Sequence, residues 1–219
     1  MNIVSFLRRD WLALLFLLLP LIVMAYAWSL LPDVVVTHWN VAGEVDGWTT
    51  RSTFVTIMGS LLTGTYLLLL LMLRFDPKPT ARYNQRSLRI IRAATMGLLA
   101  VTVSTAVLFN VGVPVDITTV IKIAVPLLLL VMGNLFSKLK PSYFLGIRTP
   151  WTLESPEVWV KTHRMAGGLW VASALFLLLF SFSLPDSYYP PVLIGVVVVM
   201  VVVPFVYSYL AFKKQQTIQ

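Results

Sequence analysis

The sequence predicts an all-α integral membrane protein, built as a bundle of six transmembrane helices. Of the 219 residues, 58% are hydrophobic and only 12% are charged, whereas about a quarter of the residues of a soluble domain are charged. About 20 consecutive apolar residues cross a bilayer as a helix. Apolar stretches of this length occupy residues 11–31, 53–73, 93–113, 119–136, 166–184 and 192–212. This composition excludes a soluble enzyme, a disordered chain and a fibrous repeat.

The first apolar stretch also has features of a signal peptide. Arg8 and Arg9 precede it, and Ala25-Tyr26-Ala27 resembles a cleavage site. Because the apolar run continues to Leu31, we expect an uncleaved first helix rather than a removed leader.

Polar and small residues inside the spans predict contacts between helices. Lys122 lies one turn inside the outer end of the fourth span, where its side chain would snorkel to the interface or pair with Asp116 or another outer acid. Asn110 and Asn134, near opposite span ends, would make interhelical hydrogen bonds. Small residues four apart either let helices approach closely or arise by chance; they are Ser60/Gly64, Ala93/Gly97 and Gly168/Ala172.

The basic residues predict how the chain is oriented. Fifteen of the 17 Lys and Arg residues lie before the first span, between spans two and three, between spans four and five, or after the sixth. The opposite loops hold Arg51 and five acids, Asp33, Glu44, Asp46, Asp116 and Asp186. The positive-inside rule therefore predicts one membrane domain, residues 1–219, with both termini in the cytoplasm. This asymmetry accounts for the net charge of +8, so we expect no direct nucleic-acid partner.

Residues 32–52 are predicted to form a structured outer loop. Val34, Val35 and Val36 favour an extended chain, and Gly43 and Gly47 mark tight turns. The loop is a cap over helix ends, a surface that binds an external ligand, or a metal site. The candidate ligand-sensing residues are His38, Trp39, Asn40, Gly43, Glu44, Asp46 and Trp48.

A metal site in the outer loop would use His38, Glu44 and Asp46. These three side chains have no recognised ligand spacing. We therefore expect no metal, and predict that His38 forms hydrogen bonds within the loop.

Residues 137–165 are predicted to form a structured cytoplasmic loop. Ser155-Pro156-Glu157 is a helix start, with an oxygen cap, a proline in the first turn and an acid at the positive end of the dipole. The helix would lie on the bilayer surface before turning into the fifth span. His163 and Arg164 would then face lipid headgroups or a cytosolic partner.

Catalytic chemistry is not indicated, and we expect neither an enzyme nor a cofactor. The chain has no cysteine and two histidines, which the predicted topology places on opposite faces. No HExxH, nucleophile-elbow or phosphate-loop motif occurs. The predicted spans hold almost no ionisable residues, so no proton relay is indicated.

Two segments resemble a known family. Residues 134–170 contain "GIRTPWTL" and "VWVKTHRMAGG", and resemble the signature of the SdpI family of bacterial membrane proteins. The outer segment "LPDVVVTHWNVAGEVDGW" resembles the domain of unknown function common at the N-terminus of that family. The signature supplies the candidate partner-binding residues Asn134, Gly146, Arg148, Thr149, Pro150, Trp151, Trp159, Thr162, His163 and Arg164.

The resemblance implies a multi-pass protein of the bacterial cytoplasmic (inner) membrane, with membrane lipids as neighbours. It implies immunity to a secreted, membrane-active toxic peptide, a form of bacteriocin resistance. It also implies signal transduction, in which a cytosolic transcriptional repressor is held at the membrane. The alternative is a small-molecule transporter or permease, against which the scarcity of intramembrane charge stands.

Overall fold

The computed structural model describes residues 3–40, 42–183 and 185–218, without the side chains of residues 3–5, 186 and 218. Val41 of the predicted outer loop and Leu184, the last residue of the predicted fifth span, lie outside this part. Six helices within it are long and apolar enough to cross a membrane, which confirms the predicted six-helix membrane fold. One small antiparallel hairpin is added to it. The cytoplasmic location of both termini stays a prediction.

The described residues form seven α-helices and two strands. They are α1 (Ile3–Ala27), β1 (Val34–Trp39), β2 (Val45–Thr50), α2 (Arg51–Leu71), α3 (Gln85–Asn110), α4 (Ile117–Phe136), α5 (Pro150–Glu154), α6 (Pro156–Phe180) and α7 (Tyr189–Ile218). Short 3₁₀ turns cover Met72–Arg74, Pro79–Asn84 and Asp186–Tyr188.

The helix bounds differ from the predicted spans at several ends. α1 ends at Ala27 because the next residues turn back, with Leu31 N–H donating to Ala27 C=O at 2.9 Å. α3 and α6 begin well before their apolar stretches, because their charged first turns are helical too. The predicted surface helix is therefore wrong as a separate element. It is the first part of α6, which Ser155 caps and which continues unbroken to Phe180.

The tightest helix pairs are α1 with α3 and α4 with α6, while α3 also packs on α4 and α7 packs on α6. A Cβ at Gly133 on α4 would lie 3.1 Å from the Gly167 carbonyl oxygen on α6, so glycine permits this approach. Three pairs of small residues were singled out in the sequence. In the pair Ala93/Gly97, Gly97 faces the Phe16 ring. Gly64 and Gly168 have no neighbouring atom within 4 Å of an added Cβ, so for these two pairs the structure favours the chance alternative over a close helix approach within this chain.

The bundle has two distinct ends. The "hairpin end" comprises the β1–β2 hairpin and the loops after α3 and α6. The "basic end" comprises the residues before α1, the segment 72–84, the loop 137–155 and the end of α7. Side chains join the loops of the basic end: Thr80 Oγ1 donates to Pro141 C=O at 2.6 Å, and Asn84 exchanges two hydrogen bonds with the Lys140 backbone, both 2.8 Å long.

Candidate functional site

The hairpin is organised by its turn residues. β1 and β2 pair with Val35 opposite Thr49 and Val36 opposite Trp48, and the ladder is irregular between Val36 and Trp39. At the tip, the Asn40 side-chain oxygen accepts hydrogen bonds from the N–H groups of Ala42 (2.8 Å) and Glu44 (3.0 Å). Gly43 has φ +80°, a conformation that favours glycine.

Two side chains fix the hairpin to the bundle. Asn110, at the end of α3, accepts from Val36 N–H at 2.7 Å and donates to Val36 C=O at 3.0 Å. The predicted interhelical bond of Asn110 is thus a bond from a helix to a strand, together with a bond to Ala106 C=O on α3 itself. Arg51 donates to the carbonyl oxygens of Trp28 (2.9 Å) and Leu31 (3.1 Å). Arg51 therefore holds the end of α1 against the start of α2.

A cavity of about 360 Å³ lies beneath the hairpin, between α2, α3, α4 and α7. Four of the seven predicted ligand-sensing residues line it: His38, Trp39, Asn40 and Gly43. Its helical walls are mainly apolar, and include Phe54, Met58, Val103 and Leu193. The arrangement gives a small apolar site with polar groups at one side, the usual character of a ligand pocket.

The other three predicted residues are not among those that line the cavity. Glu44 accepts from the Asn40 amide at 3.0 Å and so supports the tip. Asp46 forms a 2.5 Å hydrogen bond with His38 Nδ1. Trp48 is 60% exposed on the outside of the hairpin. Within the described part of the chain, no group of three His, Asp or Glu side chains is placed to hold a metal.

Lys122 lies in the cavity wall and is buried, with 4% of its surface exposed. The snorkelling prediction is therefore wrong: the ammonium stays inside the bundle, 5.3 Å from the centre of the Tyr189 ring. The Lys122 carbonyl accepts from the hydroxyls of Ser181 (3.0 Å) and Tyr189 (3.2 Å). The residue thus connects α4 with α7 through both backbone and side chain.

Asp116 caps α4 at the same end. Its carboxylate accepts from the Thr119 hydroxyl at 2.5 Å and from Thr118 N–H at 2.9 Å. The Thr119 bond, the Thr118 bond and the positive charge of Lys122 together hold the pKa of Asp116 below its usual value, against the opposing effect of partial burial. Asp116 is therefore a carboxylate at neutral pH, and contributes negative charge at the hairpin end.

The family signature at the basic end is organised around a buried histidine. His163 on α6 is 1% exposed, and its Nε2 accepts from Ile147 N–H at 2.9 Å. Its ring stacks on Trp159, with centroids 4.0 Å apart. Gly146 has φ +109°, and a Cβ there would lie 2.5 Å from His163 Nε2. The prediction that His163 faces headgroups or a partner is wrong, because the loop folds over it.

Other signature residues bind the loop 137–155 to the helices. Thr149 caps α5, exchanges bonds with Thr152 and donates to the Ser208 hydroxyl on α7 at 3.0 Å. Trp151 packs against Phe205 and Tyr209 on α7, with ring centroids 5.3 and 5.1 Å apart. Pro150 is the first residue of α5.

The remaining signature residues differ in exposure. Thr162 is buried, and its hydroxyl has no hydrogen-bond partner among the described residues. Arg148 donates to Tyr143 C=O at 2.8 Å, and Arg164 is exposed. Asn134 is exposed and accepts from Lys138, which lies in the turn after α4. Its predicted interhelical bond is therefore wrong, because the side chain points away from the other helices.

Asp76 is a site residue that sequence analysis missed. Its carboxylate accepts from the Ser142 hydroxyl and from the backbone N–H groups of Lys78, Tyr143 and Phe144. Partial burial alone would raise the pKa of Asp76, but these four hydrogen bonds outweigh it and lower the pKa below its usual value. Asp76 thereby joins the two loops of the basic end.

An ion pair inside the bundle was also missed. Asp10 on α1 and Arg92 on α3 are 3% and 4% exposed, and the Arg92 guanidinium donates to both oxygens of Asp10. Tyr66 on α2 donates to Asp10 at 2.6 Å, and Arg92 also donates to Leu69 C=O at 3.1 Å. The sequence predicted a loop at Arg92, but the residue lies within α3, so the prediction that the spans hold almost no ionisable residues is wrong.

These features define a multi-pass membrane protein with a small apolar site under a β-hairpin at one end of the bundle and a tightly folded loop at the other end. Residues 138–208 match the SdpI/YfhL protein family, and residues 15–63 match a domain of unknown function, DUF1648. The chain thus carries an SdpI/YfhL family region and a DUF1648 region, which confirms the resemblance found in its sequence.

One curated relative is the immunity protein SdpI of Bacillus subtilis (strain 168). It is 28% identical to this chain over 117 residues, which are 53% of this chain and 56% of the relative. The match therefore spans about half the length of each protein. No solved structure matches the chain.

Proposed function

We propose that this chain is an immunity protein of the bacterial cytoplasmic membrane, without enzymatic activity or cofactor. In this proposal it binds a secreted, membrane-active peptide at the hairpin end and so protects the cell. The observation that carries the proposal is the apolar cavity beneath the hairpin, lined by four residues of the outer signature. Similarity to an immunity protein supports the same function.

The cavity suits a side-chain anchor rather than a whole peptide. Its volume of about 360 Å³ lies near the lower end of the range for ligand pockets, about 300–1,000 Å³. Apolar walls from Phe54, Met58 and Val103 would bury one or two large apolar side chains of the peptide. The carboxylates of Asp33, Glu44 and Asp46 around the hairpin would attract a cationic peptide before it docks.

A cavity-filling variant tests this function. Leu193→Trp on α7 would fill the cavity, whereas Ile194→Trp adds the same ring one residue away, at a position 62% exposed and outside the lining. In a deletion strain challenged with membrane-active peptides, Leu193→Trp should lose protection and Ile194→Trp should keep it. Equal protection by both variants at equal membrane abundance would contradict the proposal.

We further propose that the basic end transmits the bound state to a cytosolic repressor. The mechanism is a population shift between two arrangements of the bundle, one of which the peptide favours. Arg164 is an exposed signature residue that a cytosolic protein can reach. Arg164→Ala should reduce repressor recruitment more than protection. Arg86→Ala, which removes an exposed arginine at the same end but outside the signature, should affect neither.

The proposed orientation has its own test. Because the chain has no cysteine, single cysteines can be introduced at exposed positions. Ala42→Cys and Ser187→Cys at the hairpin end should react with an impermeant thiol reagent in whole cells. Ser137→Cys and Gln216→Cys at the basic end should react only after permeabilisation. The reverse pattern would reject the orientation.

A further inference from the structure

The basic end contains a second cavity, of about 480 Å³, which the proposed immunity function does not use. It lies between the start of α1, the end of α2 and the start of α3. Five arginines line it, Arg9, Arg74, Arg82, Arg89 and Arg92, with Asp10 as the one acid among its lining residues.

Most of this positive charge is not compensated. The charges of Arg92 and Asp10 neutralise each other, and the Tyr66 hydroxyl also donates to the Asp10 carboxylate. Among the described residues, no carboxylate pairs with Arg9, Arg74, Arg82 or Arg89. Arg82 donates to the hydroxyl of Tyr83 and lies over its ring. Four positive charges therefore share one cavity, and an anion would relieve their mutual repulsion.

Apart from Gln85, the remaining lining residues of the cavity are apolar. They come from Phe6 on α1, Leu70 and Leu71 on α2, and Leu88 on α3. Guanidinium groups beside leucine side chains fit a ligand with an anionic head and a hydrocarbon tail. A soluble phosphate compound would gain nothing from the apolar part.

The position of the cavity in the fold indicates that it lies at the depth of lipid headgroups. It sits where α1 and α3 begin and α2 ends, which are the ends of three candidate membrane spans. Three exposed aromatic side chains directly follow lining residues in the chain: Trp11 (60% exposed) follows Asp10, Phe75 (67%) follows Arg74 and Tyr83 (65%) follows Arg82. Aromatic side chains collect at the membrane–water interface.

We propose that this cavity binds the phosphate of an anionic phospholipid from the leaflet at the basic end. Arg9, Arg74 and Arg89 supply paired N–H donors to the phosphate oxygens, a geometry that arginine provides and lysine does not. An acyl chain lies along Leu70 and Leu88. Basic pockets between transmembrane helices are known to bind such headgroups.

The test compares two triple variants of equal charge. Arg9→Gln/Arg74→Gln/Arg89→Gln removes three charges from the cavity. Lys138→Gln/Lys213→Gln/Lys214→Gln removes three exposed charges from the same end outside it. Native mass spectrometry of protein in mixed micelles should show that the wild type and the lysine variant retain phosphatidylglycerol over phosphatidylcholine by about tenfold. The arginine variant should lose this preference.

A displacement measurement and a melting-temperature measurement test the same proposal further. Soluble glycerol phosphate at matched concentration should not displace the lipid; efficient displacement would assign the cavity to a soluble phosphate ester and overturn the lipid proposal. Phosphatidylglycerol should raise the melting temperature of the wild type more than phosphatidylcholine does, because a ligand stabilises the state it binds. Equal shifts by the two lipids, or an unchanged preference in a folded arginine variant, would also overturn it.

Discussion

The two histidines of the chain lie at opposite ends of the bundle and in opposite surroundings. The His38 side chain is 69% exposed, lines the cavity and forms a hydrogen bond with Asp46 on the neighbouring strand. His163 is 1% exposed, stacks on Trp159 and accepts a backbone hydrogen bond from the loop that covers it. The signature of the basic end is thus largely a set of structural contacts. At the hairpin end, four of the seven predicted ligand-sensing residues instead line one side of a cavity.

The largest effect is expected from the ion pair at the basic end. Asp10→Asn or Arg92→Gln leaves one buried charge without its partner, which costs about 3–5 kcal/mol. Thermal unfolding of the purified protein in detergent should show a large fall in melting temperature for both variants. The double variant Asp10→Leu/Arg92→Met should be less destabilised than either single variant, since it leaves no buried charge. Single variants with the wild-type melting temperature would show that the pair is dispensable.

The second-largest loss of stability is expected at Gly146, which lies against the buried side chain of His163. Gly146→Ala forces a side chain into a positive-φ position and against His163, at an expected cost of about 2–4 kcal/mol. Gly168→Ala is the matched control, because its Cβ meets no atom within 4 Å and alanine favours the helix. Unfolding measurements should separate the two variants clearly. If both behave alike, the loop is not held against α6 as described.

A smaller, pH-dependent effect is expected at Asp76. Asp76→Asn removes a charged acceptor from four hydrogen bonds, and should cost about 1–2 kcal/mol at pH 7 because the site is only half-buried. The pKa of Asp76 is lowered in the folded protein, so its carboxylate stabilises the fold above the unfolded pKa of about 3.9. This stabilisation is lost as the pH falls through the folded pKa. The gap between the wild type and the variant should therefore close in acid; a gap that is constant with pH would exclude the carboxylate as its source.

The smallest effect on stability is expected at the hairpin end. His38→Gln affects one exposed bond to Asp46, and should change the free energy of unfolding by less than about 1 kcal/mol. Protection should be reduced but not abolished, because the amide keeps part of the hydrogen-bonding capacity. His163→Gln, the matched change at the basic end, should destabilise the protein far more. Equal destabilisation by the two changes would remove the distinction between the ends.

Much of the fold follows from the sequence because the length of an apolar stretch indicates whether a helix can cross the lipid bilayer. The six helices are visible in the apolar stretches. The sequence also predicted an extended segment at Val34–Val36 and a turn at Gly43, but not the pairing of two strands into a hairpin. The ends of helices are less predictable, because charged first turns such as Arg86–Arg92 have the composition of a loop. Only their packing in the folded protein shows that they are helical. Asp10 stands next to an apolar stretch and gives no local sign that its partner follows 82 residues later.

The candidate site is only partly readable from the sequence. The outer signature supplied His38, Trp39, Asn40 and Gly43, but the walls of the cavity come from four helices, and their meeting depends on packing. Lys122 was predicted to reach the membrane interface because its sequence position indicates how deep it lies in the span, but not which way its side chain points. Asp76 gave no signal, since an acid in a basic loop is common and its four donors come from two separate segments.

One helix carries a mechanical consequence. Asn110 is bonded to the hairpin backbone, and Arg92 to the ion pair at the other end of α3. The 18 residue steps from Arg92 to Asn110 rise by about 27 Å at 1.5 Å per residue, and no proline interrupts the helix. A helix of this kind behaves as a stiff rod along its axis. A displacement that lifts the hairpin while the Asn110 bonds hold therefore pulls on α3, and the load is borne by the contacts of Arg92 with α1 and α2.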